Sequence, residues 1–122
     1  MEMMSLYDAT LDLQKSISDA CSKNVQVKLE KGDYAVQALQ IPRNCNIALF
    51  SKDRVRILYI GKRNRPLFVL EENALLAIQE KIEIYYNTNN IQELSRLMIK
   101  CPQTSRVEIS KGVKISLFSA KS

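Results

Sequence analysis

Residues that commonly carry enzymatic chemistry are sparse in this chain of 122 residues. It has no histidine, and its few aspartates are scattered along the N-terminal half: Asp8, Asp12, Asp19, Asp33 and Asp53. Glycoside hydrolysis needs an acid and a second carboxylate at a fixed separation. Glu71 and Glu72 are adjacent, so on a strand they would point to opposite faces and could not share a calcium ion. Because no glycine-rich phosphate loop is present either, the sequence predicts a protein that is not an enzyme and that holds no metal or other cofactor.

The best candidate for a binding site is the basic stretch "SKDRVRILYIGKRNRP" at residues 51–66. Alternation would bury Val55 and Ile57 and leave Arg54 and Arg56 on the outer face of a strand. The whole stretch supplies six basic side chains: Lys52, Arg54, Arg56, Lys62, Arg63 and Arg65. Such a band suits phosphates or an acidic protein surface. The alternative is a solvated charged face that only keeps the protein in solution.

The overall charge is compatible with a polyanionic partner without requiring one. Lysine and arginine number 18 against 13 aspartates and glutamates, which gives a net charge of +5. Tyr59 lies within the basic stretch and could stack on a base, but one aromatic ring is not a stacking platform. Nucleic acid is therefore the alternative partner rather than the first choice.

Three cysteines, Cys21, Cys45 and Cys101, are too few and too widely spaced for a disulfide framework or a zinc site. Each lies in or beside an apolar stretch, which favours buried free thiols in a reducing compartment. The first residues include Glu2 and have no basic start before an apolar run, unlike a secretory signal. No stretch reaches the length of a membrane span. The sequence predicts a cytoplasmic protein that does not bind membranes.

Size and composition predict one globular domain over residues 1–122, since 46% of the residues are hydrophobic and 25% are charged. Over residues 5–22 the apolar positions recur at spacings of three and four, which predicts an amphipathic helix. Its apolar stripe comprises Leu6, Ala9, Leu13, Ile17, Ala20 and Cys21. Ser5 and Asp8 fit a variant of the capping box at its start.

Beyond residue 24 the apolar period changes to two, which predicts short strands almost to the C-terminal end. The expected strands are residues 25–29, 36–41, 45–50, 55–60, 67–70, 75–78, 82–86, 107–109 and 113–118. Residues 91–100 match both a helical stripe and an alternating one. Their helix-forming composition favours helix, but strand stays open.

β-Branched residues recur every 22 residues along the chain, at Val25, Ile47, Val69, Ile91 and Val113. Repeats of about 20 to 50 residues are typical of a solenoid, in which each coil buries its apolar face against the next. The same spacing fails at a neighbouring position, because the residue 22 positions after Leu29 is the polar Ser51. The repeat therefore suggests a coil without defining it.

The helix followed by "VQVKLEKGDY", "ALQIPRNCNIAL" and "PLFVLEENALLAIQEKIEIYYN" resembles the entrance to a right-handed parallel β-helix of the pectin-lyase-like family. The resemblance covers roughly residues 10–90. It implies a mostly β fold in which Gly32 and Tyr34 form the first corner and the helix plugs the N-terminal end through Leu13, Ile17 and Ala20. It would also imply polysaccharide cleavage, but the residues for that chemistry are missing. A small antiparallel barrel or sandwich with one or two helices is the alternative fold.

Three functional hypotheses follow. The first is a non-catalytic binding or assembly module that recognises a protein partner or a second copy of itself. The second is a nucleic-acid or polyanion binder that uses the basic stretch. The third is a degenerate carbohydrate-binding relative of the polysaccharide lyases.

The last predicted strand favours the first hypothesis. Alternation points Val113, Ile115 and Leu117 inward and Lys114 and Ser116 outward. An uncovered solenoid end exposes unpaired backbone and apolar core, which another chain can cover. We therefore expect a homo-oligomer whose interface contains the three inward residues, unless the ambiguous segment before this strand folds back as a cap.

Overall fold

A computed structural model of the chain describes residues 7–23 and 25–118. These residues form a mostly β structure with one longer helix near the start, α1 (Thr10–Lys23). Eight strands follow it: β1 (Val27–Lys28), β2 (Gly32–Val36), β3 (Leu39–Ile41), β4 (Asn46–Phe50), β5 (Val55–Tyr59), β6 (Phe68–Leu70), β7 (Leu75–Ile78) and β8 (Ile82–Asn87). The remaining elements are a 3-10 turn (Ile91–Glu93), α2 (Leu94–Met98), β9 (Ile99–Lys100), β10 (Arg106–Ile109) and β11 (Lys114–Phe118).

The strands form three sheets, and successive strands join the three sheets in turn. Their orders are β1-β4-β7-β10, β2-β5-β8-β11 and β3-β6-β9. Each pair of neighbouring strands is parallel throughout the described residues. An antiparallel barrel or sandwich, the alternative left open by the sequence, is therefore wrong.

The spacing of 22 residues between β-branched positions matches the pairing of one strand pair only. Val27 lies beside Leu49 at that interval, whereas Leu39 lies beside Phe68 at a longer one. The spacing between paired strands grows mainly because the connections from the β2-β5-β8-β11 sheet to the β3-β6-β9 sheet become longer along the chain. These connections are 37–38, 60–67 and 88–98. Register along the sheets is set by side-chain packing, so these connections can differ in length without moving the strands.

Side chains on the inner faces of the sheets stack on like neighbours from strand to strand. Ile57, Ile84 and Ile115 lie side by side on β5, β8 and β11. Tyr59 and Tyr86 are both buried, and their ring centroids are 5.2 Å apart in a stacked arrangement. Parallel pairing brings equivalent positions of neighbouring strands together, so the apolar alternation of each strand builds one continuous core.

Helix α1 lies against the first strands, as its periodicity predicted, with Leu13, Ile17 and Ala20 buried. It contacts β1, β3 and β4. The proposed capping residue Ser5 lies outside the described residues. Asp8 caps the helix instead: its Oδ1 accepts hydrogen bonds from the backbone N–H of Thr10 at 2.9 Å and from the Thr10 hydroxyl at 2.5 Å. The helix therefore begins at Thr10, later than the expected residue 5.

A disulfide joins Cys21 in the last turn of α1 to Cys45, just before β4. The prediction of buried free thiols is therefore wrong for these two residues. Cys101 is free, but it is exposed rather than buried. The pairing arises because α1 lies over the first strands and brings two positions 24 residues apart together. Such a bond is not typical of the reducing cytoplasm that the cysteine spacing predicted.

Two local predictions need correction. Gly32 and Tyr34 belong to strand β2 rather than to a corner, and the single strand expected at 36–41 is split into β2 and β3. The ambiguous residues 91–100 contain the 3-10 turn, α2 and then β9, so both helix and strand are present. A ten-residue window that contains three elements has no single period, which explains the mixed pattern.

Candidate binding surfaces

The structure divides the predicted basic stretch into two parts with different electrostatics. Arg54 and Arg56 flank the start of β5 with their neighbours Val55 and Ile57 buried, as alternation predicted. Lys62, Arg63 and Arg65 lie in the connection from β5 to β6.

Acidic residues on neighbouring strands offset the charge of the β5 arginines. Arg56 donates two hydrogen bonds to Asp33 on β2, from Nε at 2.8 Å and from Nη2 at 2.6 Å, and these bonds raise the pKa of the guanidinium. Its guanidinium carbon also lies 6.0 Å from the centre of the Tyr85 ring. Arg54 Nε lies 3.1 Å from Glu83 Oε2 on β8. These two arginines are therefore poor candidates for holding phosphates.

The outer face of this sheet carries alternating charges across four strands. Asp33, Arg56, Glu83 and Lys114 occupy adjacent positions on β2, β5, β8 and β11. Opposite charges on directly neighbouring strands stabilise a sheet by roughly 0.2–1 kcal/mol per pair. This arrangement indicates a structural role in fixing register.

Lys52 lies apart from the other basic residues, at the rim of a groove of about 470 Å³. Its backbone carbonyl accepts a hydrogen bond from Lys81 Nζ at 2.8 Å. The groove is lined by both signs of charge: Lys52, Asp53, Arg54, Glu80, Lys81, Glu83, Gly112 and Lys114. Mixed lining of this kind does not favour a polyanion over other ligands.

The connection between β5 and β6 is held firmly from below by buried side chains; we call residues 61–66 the basic loop. The Tyr59 hydroxyl donates to the Lys62 carbonyl at 2.9 Å, and the Tyr86 hydroxyl donates to the Arg65 carbonyl at 2.6 Å. Burial raises the pKa of Tyr59, and that of Tyr86 to about 12. The Tyr59 ring is packed in the core and is therefore not available to stack on a base.

Polar residues at the end of β8 and just after it hold the other side of the basic loop. The Thr88 hydroxyl donates to Asn64 Oδ1 at 2.6 Å, and the Asn64 backbone N–H donates to the Asn87 carbonyl at 3.2 Å. Asn64 has a positive φ of 62°, which asparagine tolerates better than most residues. A side chain at Gly61 would place its Cβ 2.6 Å from the Tyr59 ring, so only glycine fits there.

The basic loop presents positive charge through Lys62 and Arg65. Lys62 and Arg65 are exposed, Arg63 is half-buried, and the segment 61–66 contains no acidic residue. Within residues 7–23 and 25–118, no carboxylate lies within ion-pair distance of Lys62 or Arg65. The sequence identified these cations but not the side chains that hold the loop, which are Tyr59, Tyr86 and Thr88.

The second candidate surface is the edge formed by β9, β10 and β11. Each is the last strand of its sheet, so one side of each strand lacks a partner strand among the described residues. Val113 and Ile115 pack against the core, and Leu117 lies beside the buried Tyr86, as the inward positions predicted. They remain partly exposed, and Lys114 is exposed. We call β9–β11 the open edge.

Strand β10 adds two charged residues to the open edge that the sequence analysis missed. Arg106 and Glu108 lie on its outer face at 71% and 57% side-chain exposure, 3.6 Å apart at their closest charged atoms. Val107 between them is half-buried against Leu76. The alternation "RVEI" was the available signal, but the predicted strand began one residue too late.

Other features carry less information. Glu71 and Glu72 are exposed in the corner after β6. The described part of the chain holds no cluster of three histidine, cysteine, aspartate or glutamate residues suited to a metal ion. None of the helices within that part is long and apolar enough to cross a membrane. Comparison with protein-family models, with curated proteins and with solved structures found no significant match to this chain.

Proposed function

We propose that the chain is a short right-handed parallel β-helix that acts as a non-catalytic assembly module, joining a second copy of itself through the open edge. Three parallel sheets, visited in turn by successive strands, support the coil. The resemblance of the first coils to pectin-lyase-like proteins supports its handedness.

The observation that carries the proposal is the difference between the two ends of the sheets. At the first end, α1 contacts β1 and β3, and the Ala9 N–H donates to the Ala35 carbonyl of β2 at 2.7 Å. At the other end no further strand pairs with β9, β10 or β11 among the described residues, and half-exposed apolar side chains lie beside their outer edges. Edges of this kind pair readily with strands of another chain. Because one end is covered, two copies that join by their open edges form a closed dimer rather than a filament.

The charges of β10 select one register for such a dimer. Antiparallel pairing of β10 with its copy must keep outward residues opposite outward residues. If the two-fold axis of the dimer passed through Arg106 or Glu108, that residue would face its own copy and like charges would lie opposite each other, which is destabilising. Centring on Val107 places each Arg106 opposite the Glu108 of the copy, twice in the dimer. The strand is thus complementary to itself in that register.

Sedimentation of the purified chain tests the assembly. We expect a dimer at concentrations of about tens of micromolar, typical of an interface of modest size. Ile115→Lys should give monomers or insoluble protein, because it places a charge among buried apolar groups. Ser116→Lys adds the same charge on the outer face of the same strand and should leave the dimer intact. A wild-type chain that sediments as a monomer would contradict the proposal.

A charge exchange tests the register separately. Glu108→Arg replaces two attractive pairs by two repulsive ones and should weaken the dimer by about 1 to 2 kcal/mol. The double variant with Arg106→Glu added should restore most of the affinity, since it reverses both partners. If the double variant dimerises no better than the single one, the copies pair in another register, although the assembly itself stands.

A further inference from the structure

The basic loop is a preorganised concentration of positive charge. The Arg65 N–H donates to the Lys62 carbonyl at 3.3 Å, which closes a tight turn around Arg63 and Asn64. The Cα atoms at the two ends of a β-turn lie less than about 7 Å apart, so the exposed residues Lys62 and Arg65 stand close together.

Repulsion between these cations would normally open an exposed turn. Here the two tyrosine hydroxyls of the core hold the carbonyls of Lys62 and Arg65, and the Thr88 hydroxyl holds the Asn64 side chain. The loop therefore cannot relax by moving its backbone without breaking partly buried hydrogen bonds. A multivalent anion relieves the repulsion, and it does so at low entropic cost because the backbone is already fixed.

The surroundings limit the size of the anion. A nucleic-acid backbone requires a basic track that follows several phosphates. The neighbouring β5 arginines do not supply one, since Arg56 is bound to Asp33 and Arg54 lies beside Glu83. A compact group with several negative charges matches the isolated loop better than an extended strand does.

We propose that the basic loop is a binding site for a compact polyphosphate group, such as inorganic triphosphate or the phosphate chain of a nucleoside triphosphate. Exposed Lys62 and Arg65 contact the phosphate oxygens from the two ends of the turn. None of these residues belongs to β9–β11, so the site does not depend on the proposed dimer.

Calorimetric titration with inorganic triphosphate is the direct test. We expect binding at low salt that weakens as salt rises from about 50 to 200 mM, with a slope set by only two or three contacts. The double variant Lys62→Glu with Arg65→Glu should lose at least about tenfold in affinity. The matched control, Lys15→Glu with Lys31→Glu, makes the same charge change at exposed positions elsewhere and should bind like the wild type. Absence of binding by the wild type, or an equal loss in the control, would overturn the proposal.

Two further arms address preorganisation and the source of the phosphates. Tyr86→Phe leaves the charge unchanged but frees the Arg65 carbonyl, and it should weaken triphosphate binding several-fold while circular dichroism shows a folded chain. Adenosine triphosphate and inorganic triphosphate should bind alike if the phosphates alone are recognised, and a preference for the nucleotide would identify it as the source. Tighter binding of single-stranded DNA than of triphosphate, with a steeper salt slope, would overturn the proposal in favour of a nucleic-acid interface.

Discussion

Removal of the bond between Cys21 and Cys45 should destabilise the fold by a calculable amount. The bond closes a loop whose ends are 24 residues apart. In the chain-entropy treatment a loop of this length restricts the unfolded chain by about 3.5 kcal/mol at 25 °C. For a chain of 122 residues, that corresponds to a fall of roughly 14 °C in the melting temperature. The expected loss is a large part of the stability of an ordinary small domain.

Denaturant unfolding of three proteins measures the effect. The double variant Cys21→Ala with Cys45→Ala should show the predicted loss, and the wild type in a thiol reductant should lose a similar amount. Cys101→Ala removes the exposed free thiol and should behave like the oxidised wild type. Differences below about 1 kcal/mol would refute the entropic reasoning, because a closed loop of this length must restrict the unfolded chain. Alkylation of all three cysteines without prior reduction would refute the bond itself.

Other expectations are simpler. Leu13→Asp with Ile17→Asp should abolish folding, measured by circular dichroism, because both residues lie on the buried face of α1. Gly112→Ala should cost roughly 1–3 kcal/mol in thermal melts, since its Cβ would lie 2.8 Å from that of Glu80. Hydrogen bonds from Thr10 lower the pKa of Asp8 in the folded chain. The ionised carboxylate therefore contributes fully to the stability of the fold above about pH 4, and this contribution is lost as the pH falls through the lowered pKa. Asp8→Asn should therefore be less stable than the wild type at neutral pH, and the difference in their free energies of unfolding should shrink as the pH falls. A difference that stays constant from pH 6 to pH 2 would contradict this.

Much of the architecture was predictable because local periodicity determines which side chains face the core. Helix α1 followed from spacings of three and four, and most strands followed from alternation, including the inward positions of Val113 and Ile115. The parallel arrangement followed from a resemblance rather than from any single residue. Propensity and alternation act over a few residues, so they describe strands well and their partners poorly.

The candidate surfaces were less predictable for the same reason. The charge of Arg56 is offset by Asp33, which lies 23 residues earlier on another strand. The pairing of Cys21 with Cys45 depends on where α1 docks. The basic loop was visible as a run of cations, but its backbone is held by Tyr86 and Thr88, which lie 21 and 24 residues later in the chain than their partners. Each of these contacts joins residues on different strands or connections, and a linear sequence does not show which of them lie close together.

One kind of connection between the sheets varies in length while all the others stay short. The connection between the second and third sheets grows from 37–38 to 60–67 and then to 88–98, whereas strand register is maintained on both sides of it. New sequence can therefore enter the chain at that corner without disturbing the core, since loop extension costs little free energy. For protein engineering, this makes the version of that corner at 88–98, where the connection is already longest, a natural place to graft a foreign peptide, and it suggests how such folds acquire new surface chemistry during evolution while their interior stays fixed.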